Sequence, residues 1–331
     1  MLKVLYAGSP LASAMVLQGL IDNSQKSSLF KICAVLTNPP SMRGRHHDLV
    51  PTDVASCAAK NQIPVLEFDH LNSQAREACQ PYGFDLLVSF DYGRIFGPKF
   101  LGMFKFGGIN LHPSALPKYR GCTPVPAAIL NGDKELGVCV QTLALKTDEG
   151  DILAQDKIQL DGSETTLSLM DGDKNSSPVT KIGKELLLKV IESIASEGRI
   201  PEGAKQEGQS SYTPFIKKED GIIDWNETAD VISRKIRAYT PWPLASTVSG
   251  DRKLLILKGE PSAPAGTGGT DCAPGTVLAF EKAKGIRIAC GSGTSLFVKQ
   301  LQWQGKNPLD HKSFMNGARD FIGSRLGDNI N

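Results

Sequence analysis

Apolar and polar positions along residues 1–197 fall into two alternating textures. Short, nearly unbroken apolar runs occupy Leu2–Ala7, Phe30–Thr37, Asp85–Phe90 and Phe106–His112. Strands buried on both faces of a sheet read this way. Between them lie segments with apolar residues three and four apart, predicting helices over Pro10–Asp22, Val54–Asn61, Leu71–Cys79, Val125–Asn131 and Lys181–Glu197. In the first of these helices the stripe is Ala14, Val16, Leu17, Leu20 and Ile21. Ile63–Leu66 is a further short apolar run, and Gly137–Leu145 and Ile152–Leu160 read as two strands joined across a loop at Asp148. Strands that alternate with helices predict an α/β fold, a doubly wound and mostly parallel sheet with helices on its faces.

The texture then changes. Residues 196–211 are polar and Gly-rich and read as an interdomain linker. Beyond them a helix over Thr228–Arg237 is followed by short strands split by glycines: Leu254–Leu257, Gly275–Leu278, Ile286–Ala289 and Leu296–Gln302. This pattern predicts a small β-barrel. The expected organisation is a first domain over 1–195, a linker over 196–211 and a second domain over 212–331. Pro264–Gly275 is half Gly and Pro and reads as a loop.

Composition narrows the function classes. An apolar fraction of 40% and a charged fraction of 22% are those of a soluble globular protein. The net charge of +2 carries no global signal for a polyanion. Residues 209–331 are nevertheless basic, with 16 Lys/Arg against 12 Asp/Glu, whereas residues 1–208 have 21 against 23. A basic second half is compatible with nucleic acid and equally with ordinary surface charge. The seven cysteines are scattered, without Cys-x-x-Cys pairs, and are expected to be reduced thiols in a cytoplasmic protein. No run has the length of a membrane span, and the apolar start is too short for the core of a signal peptide. Gly8-Ser9-Pro10 lacks the G-x-G-x-x-G spacing of dinucleotide sites.

Chemistry concentrates at two places. Asn110 and His112 are two apart at the end of an apolar run, so on a strand they face one side. Pro113 and Pro117 stop the strand just beyond them, at the carboxyl end, where open α/β sheets place ligands. The second place is Asp148, in Thr147-Asp148-Glu149-Gly150-Asp151. An amide, an imidazole and a carboxylate together can polarise a carbonyl, move a proton and hold the imidazole in place. The same residues could also form a polar strand end with a satisfied histidine and a turn aspartate.

The ordered set of motifs resembles the methionyl-tRNA formyltransferase family nearly end to end. The resemblance is carried by Val4-Leu5-Tyr6-Ala7-Gly8-Ser9-Pro10, by Asn110-Leu111-His112-Pro113-Ser114-Ala115-Leu116-Pro117 with Tyr119-Arg120-Gly121, and by Asp148-Glu149-Gly150-Asp151. In the second half it rests on Ile223-Asp224-Trp225, on Ile236 to Pro243 with its Pro241-Trp242-Pro243, and on Ala273-Pro274-Gly275-Thr276-Val277. It implies a Rossmann-variant catalytic domain, a C-terminal barrel of the oligonucleotide-binding kind, and transfer of formyl from 10-formyltetrahydrofolate to the α-amino group of methionyl initiator tRNA. It implies Asn110, His112 and Asp148 as the catalytic set. Ser114, Ala115, Leu116 and Pro117 would contact the folate, with Phe90, Tyr92 and Ile95 lining the pterin pocket. Arg43 and Arg45, on a loop after the second strand, would grip the acceptor stem. Lys217, Arg234, Arg237, Arg252 and Lys253 would contact tRNA phosphates. No metal and no membrane partner are expected, and the protein is expected to be a monomer.

The chain departs from the family pattern in four places. Ala115 stands where leucine is usual. His46, His47 and Asp48 replace a glycine and two lysines, which predicts a weaker or more pH-dependent acceptor grip. Two histidines and one carboxylate are too few to predict a metal site. Ala144-Leu145-Lys146 replaces an Asp-x-Gly before the acidic loop, and residues 172–177 read as a surface insertion. Alternative functions on the same chemistry are formyl transfer to a nucleotide-sugar amine and hydrolysis of the formyl donor. A catalytically silent RNA-binding protein would not need the three polar residues.

Overall fold

The computed structural model describes residues 1–43, 48–172, 176–262 and 271–327, apart from the side chains of Arg43 and Arg319. The chain divides into two compact units. The first comprises Met1–Val125, Lys134–Leu160 and Ser168–Pro214; the second comprises Pro126–Asp133, Asp161–Leu167 and Phe215–Asn331.

The strands up to residue 214 are β1 (Leu2–Ala7), β2 (Phe30–Thr37), β3 (Ser41–Arg43), β4 (Asp48–Val50), β5 (Val65–Glu67), β6 (Leu86–Ser89), β7 (Gly108–His112), β8 (Arg120–Gly121), β9 (Glu135–Thr142), β10 (Ile152–Gln159) and β11 (Tyr212–Thr213). The helices are α1 (Leu11–Ser24), α2 (Asp53–Lys60), α3 (Ser73–Cys79), α4 (Pro98–Leu101), α5 (Pro124–Asn131), α6 (Thr166–Met170) and α7 (Pro178–Glu197). Seven strands form one sheet in the order β10-β9-β7-β6-β1-β2-β5. β5, β2, β1, β6 and β7 are parallel, while β9 runs antiparallel to both β7 and β10. The apolar runs become the central strands because both faces are covered: every residue of β6 is buried.

Strand order reverses between β1 and β6, since the chain first winds outward through β2 and β5 and then returns to the other side of β1. The crevice beyond the carboxyl ends at such a reversal is where open α/β sheets bind ligands. β7, carrying Asn110 and His112, ends beside it. On the covering side, Gly183 of α7 lets the helix lie against the buried Leu111 of β7; a Cβ there would sit 2.5 Å from Leu111 Cδ2.

In the first unit, two features stand out against the sequence expectation. The loop after β2 contains a short hairpin, β3 with β4, pairing Met42 with Leu49. Both side chains are exposed, so no burial pattern announces the hairpin. The polar stretch after α7 is also structured. Ala204 and Ile152 exchange backbone hydrogen bonds of 2.9 and 2.8 Å, and β11 pairs in parallel with β8. These bonds use backbone groups, which sequence texture does not reveal.

The second unit is antiparallel. It contains α8 (Ala229–Ala238), β12 (Ala245–Ser249), β13 (Arg252–Pro261), β14 (Val277–Glu281), β15 (Gly285–Ala289), β16 (Ser295–Trp303), β17 (Leu309–Asp310) and α9 (His311–Asn316). Strand order is β12-β13-β16-β15-β14, with β17 on β16. Leu326 bridges to Ser249 in β12, and Arg325 bridges to Thr276 just before β14. One short segment thus ties the two edges of the sheet together, curling it into a barrel. The core contains Ile232 and Ile236 of α8 with Leu254, Ile256, Val277, Ile286, Leu296 and Val298. Trp225 is also buried there, its Nε1–H donating to Thr247 Oγ1 at 3.0 Å. β12 is missing from the sequence expectation because Ala245-Ser246-Thr247 is small and polar, although all three are buried.

Candidate active site

β7 carries Asn110 and His112 on one side, as the two-residue period requires. His112 is buried and Asn110 half-buried. The segment after the strand turns back, and Tyr119, held at φ +58°, aims its carbonyl at the imidazole. His112 Nε2 lies 2.9 Å from Tyr119 O. A carbonyl only accepts, so Nε2 carries the proton and Nδ1 is left as the acceptor nitrogen. Nδ1 faces Asp148 Oδ2 at 3.7 Å. That distance is too long for a hydrogen bond but well placed for an ion pair once Nδ1 takes a proton. The orientation of the imidazole therefore comes from Tyr119, while Asp148 faces its other nitrogen.

Asp148 lies in the loop between β9 and β10 with φ +54°, a conformation aspartate tolerates better than bulkier residues. Both carboxylate oxygens are held. Gly121 N–H donates to Oδ2 at 2.8 Å, and Gln141 Nε2–H donates to Oδ1 at 2.8 Å. Gln141 is the register partner of Asn110 across β7 and β9, so the two amides sit at one level of the sheet. The neighbouring Glu149 is paired with Arg120 at 3.2 Å and accepts from Tyr212 OH at 2.7 Å. The Tyr212 bond, with Lys146 and Arg120 beside it, holds the Glu149 carboxyl below the usual carboxylate range.

Two other titratable groups stand nearby. Cys122 follows the glycine that binds Asp148, and its thiol is pushed up by desolvation and then by the charges of Asp148 and Asp91. Asp91 follows Phe90 beyond β6, with φ +51°. Desolvation, and after it the charge of Asp171, pushes its carboxyl up to about 6, although the side chain keeps a surface open to solvent.

The residues expected at the folate divide into two groups. Ala115 and Ile95 are exposed, Ile95 at 78%. Phe90, Tyr92 and Leu116 are buried, and the Ser114 hydroxyl is buried and donates to Lys118 O at 2.7 Å. A Cβ added at Gly93 or Gly97 would meet no atom within 4 Å, so the backbone beside Ile95 borders open space.

Of the residues expected at tRNA, Arg43 ends β3, its side chain outside the described residues, and Arg45, His46 and His47 lie wholly outside them. So do residues 173–175 of the expected insertion. In the second unit Lys217 and Arg252 are exposed and Lys253 is half-buried. The Arg252 guanidinium lies 4.0 Å over the Trp303 ring. Arg234 and Arg237 are half-buried on α8, and Arg237 donates to Glu164 O at 3.1 Å. Among the described residues no cluster of three or more His, Cys, Asp or Glu side chains could hold a metal ion, and no helix is long and apolar enough to cross a membrane.

Sequence patterns alone do not single out Tyr119, Gln141 and Gln206 as parts of this site. Gln141 left a signal: it is a polar residue closing the apolar run Leu136 to Val140, and it is buried. Gln206 left none within its polar surroundings.

Two family profiles match in chain order, formyl transferase over residues 2–178 and formyl transferase, C-terminal domain, over residues 215–319. Among curated proteins, a methionyl-tRNA formyltransferase of Treponema denticola is 40% identical, the alignment covering 97% of this chain and 98% of that one. One from Treponema pallidum is 37% identical over 99% and 100% of the two chains. Among solved structures, the methionyl-tRNA formyltransferase from Clostridium thermocellum superposes with a TM-score of 0.55 at 14% identity, over 78% of this chain and 93% of that one, a likeness of fold. Similarity of this extent, in sequence across both units, makes the assignment direct: the chain belongs to the methionyl-tRNA formyltransferase family.

Proposed function

We propose that the protein transfers a formyl group from 10-formyltetrahydrofolate to the α-amino group of methionyl initiator tRNA, acting as a cytoplasmic monomer. The observation that carries the chemistry is the His112 Nδ1 to Asp148 Oδ2 pair at 3.7 Å, beside Asn110 at the carboxyl end of β7. When bound, the folate supplies the formyl carbon and the leaving nitrogen. Asn110 donates its amide N–H to the formyl oxygen, where negative charge builds up as the amine attacks. His112 keeps Nε2–H on Tyr119 O and uses Nδ1 to hold the proton lost by the amine and pass it to the leaving nitrogen. Asp148 stabilises the imidazolium formed in between.

The open backbone at Gly93 and Gly97, with exposed Ile95 and Ala115, supports a folate-facing wall. In this reading Phe90, Tyr92, Leu116 and Pro117 form the packed support behind it, and Ser114 fixes the turn. Residues 1–195 act as the catalytic domain, 196–211 as the linker and 212–331 as a tRNA-binding domain. Arg43 and Arg45 hold the acceptor stem, while Lys217, Arg234, Arg237, Arg252 and Lys253 contact phosphates, which position the tRNA without reading its sequence.

The test is formyl transfer to methionine-charged initiator tRNA, with uncharged tRNA and a nucleotide-sugar amine as parallel acceptors and formate release measured alongside. Transfer to the charged tRNA alone is the expected outcome. Sugar formylation or formate release would replace the acceptor assignment while keeping the site.

A further inference from the structure

The segment after α7 runs along both arms of the site. Ala204 bridges to Ile152, just past the Asp148 loop. Ser211 accepts from Arg120 N through its carbonyl at 2.8 Å and from Tyr119 N through its hydroxyl at 2.8 Å. Between these anchors lies Gln206. Its Nε2 donates to Asp148 O at 2.8 Å and to Gly150 O at 2.7 Å. Its Oε1 accepts from Arg120 Nε at 3.0 Å and from the Arg120 terminal nitrogen at 2.7 Å. The neighbours fix which end of the amide is which: carbonyls demand the NH2 and a guanidinium demands the oxygen. A longer contact, 3.3 Å, joins Gln206 Nε2 to Gln141 Oε1, and Gln141 in turn donates to Asp148 Oδ1.

We propose that Gln206 and Gln141 are positioning residues of the formyl transfer, acting through Asp148; this rests on the function proposed above. The Asp148 loop has a backbone in the left-handed region and a glycine at 150, and left to itself it could take other conformations. Gln206 pins both carbonyls that flank Glu149, and the Arg120 charge polarises the amide that does so. Gln141 holds one carboxylate oxygen so that the other stays at His112. Together they keep the Asp148 carboxylate at the place where it faces His112 Nδ1.

The experiment uses the full-length enzyme with Gln206→Met and Gln141→Met, which keep bulk and remove the amides, and His112→Ala as the reference for the site. Steady-state kcat and KM for both substrates and circular dichroism are measured. The expected result is a kcat loss of roughly 10- to 100-fold, the size of effect that residues orienting metal-binding side chains have, with KM within about twofold. In Gln141→Met the loss falls on kcat in the same way, because the carboxylate loses the donor that holds Oδ1. Wild-type kcat in folded Gln206→Met or folded Gln141→Met, or a loss that falls on KM with kcat unchanged, overturns the inference. Should Gln141→Met fail to fold, the half-buried Gln206 carries the test through the kcat and KM split. Full activity in His112→Ala would overturn the site itself; an inactive His112→Ala beside a fully active Gln206→Met would overturn the positioning role alone.

Discussion

Nε2 of His112 is committed to Tyr119 O, so the ring cannot flip without leaving a buried N–H unpaired. In the proposed mechanism every proton it handles therefore passes through Nδ1. His112→Ala is expected to lower kcat by roughly 10²–10⁴, the usual share of a positioned general acid or base. Asn110→Ala is expected to lower it by about 10²–10³, the cost of one oxyanion donor. Both variants should keep the wild-type circular dichroism spectrum, and near-wild-type turnover in either would remove that residue from the mechanism. Asp91 provides a stability prediction. Its carboxyl is raised from 3.8 to about 6 in the fold, so the folded state binds its proton more tightly than the unfolded chain does. The stability this group contributes is complete below pH 3.8 and is lost as the pH rises through about 6. Asp91→Asn should therefore raise the melting temperature at pH 7, with a gain that fades towards pH 4. Because the side chain also meets solvent, the gain is on the order of 1 kcal/mol. A constant difference across that range would contradict the assignment.

At the level of elements, β8 and β11 connect stability to the site. Gly121 has φ +96°, and a Cβ there would lie 2.6 Å from Thr213 O. The same residue donates its N–H to Asp148. Gly121→Ala is expected to destabilise the protein by about 1–3 kcal/mol through crowding at a strained backbone. It should also lower kcat, since the pair separates β8 from β11 and takes the donor with it. Thermal melting and steady-state kinetics check both, and an unchanged kcat in a destabilised protein would show that Asp148 does not depend on this bond. The central strands of the first unit were readable from sequence to within a residue or two, because two covered faces demand continuous apolar runs. The β3–β4 hairpin and β11 were not, because they are held by backbone hydrogen bonds that any residue can make.

For the whole molecule, the charge difference between the two halves matters only in the presence of a polyanion. If the second unit holds tRNA phosphates, log affinity should fall linearly with log salt. Replacing Lys217, Arg252 and Lys253 by alanine should make that slope shallower by about 0.7–0.9 for each phosphate left without its cation. Binding measured by filter retention or fluorescence from 50 to 300 mM salt, on the order of the range where counterion release dominates, checks this. A parallel slope in the triple variant would place the phosphate-binding cations elsewhere. Arg237 differs from these three, since its guanidinium already donates within the second unit, and its removal should affect stability as well as affinity.

Sequence alone determined the doubly wound sheet, the pairing of Asn110 with His112 and the family, because these rest on apolar continuity, a two-residue period and ordered motifs. Tertiary structure decided how the site is held. Arg120 and Gln206 are 86 positions apart, and Asp148 is fastened by a glycine N–H and an amide from different elements. The tautomer of His112 comes from a carbonyl seven residues on, in a turn whose direction no side-chain pattern records. Packing also settled which of the expected folate residues are exposed and which are buried, since Phe90 and Ile95 look alike as apolar letters but differ in their access to solvent. Hydrophobic periodicity encodes which face of an element is buried; it does not encode which distant polar groups meet once the faces have been buried.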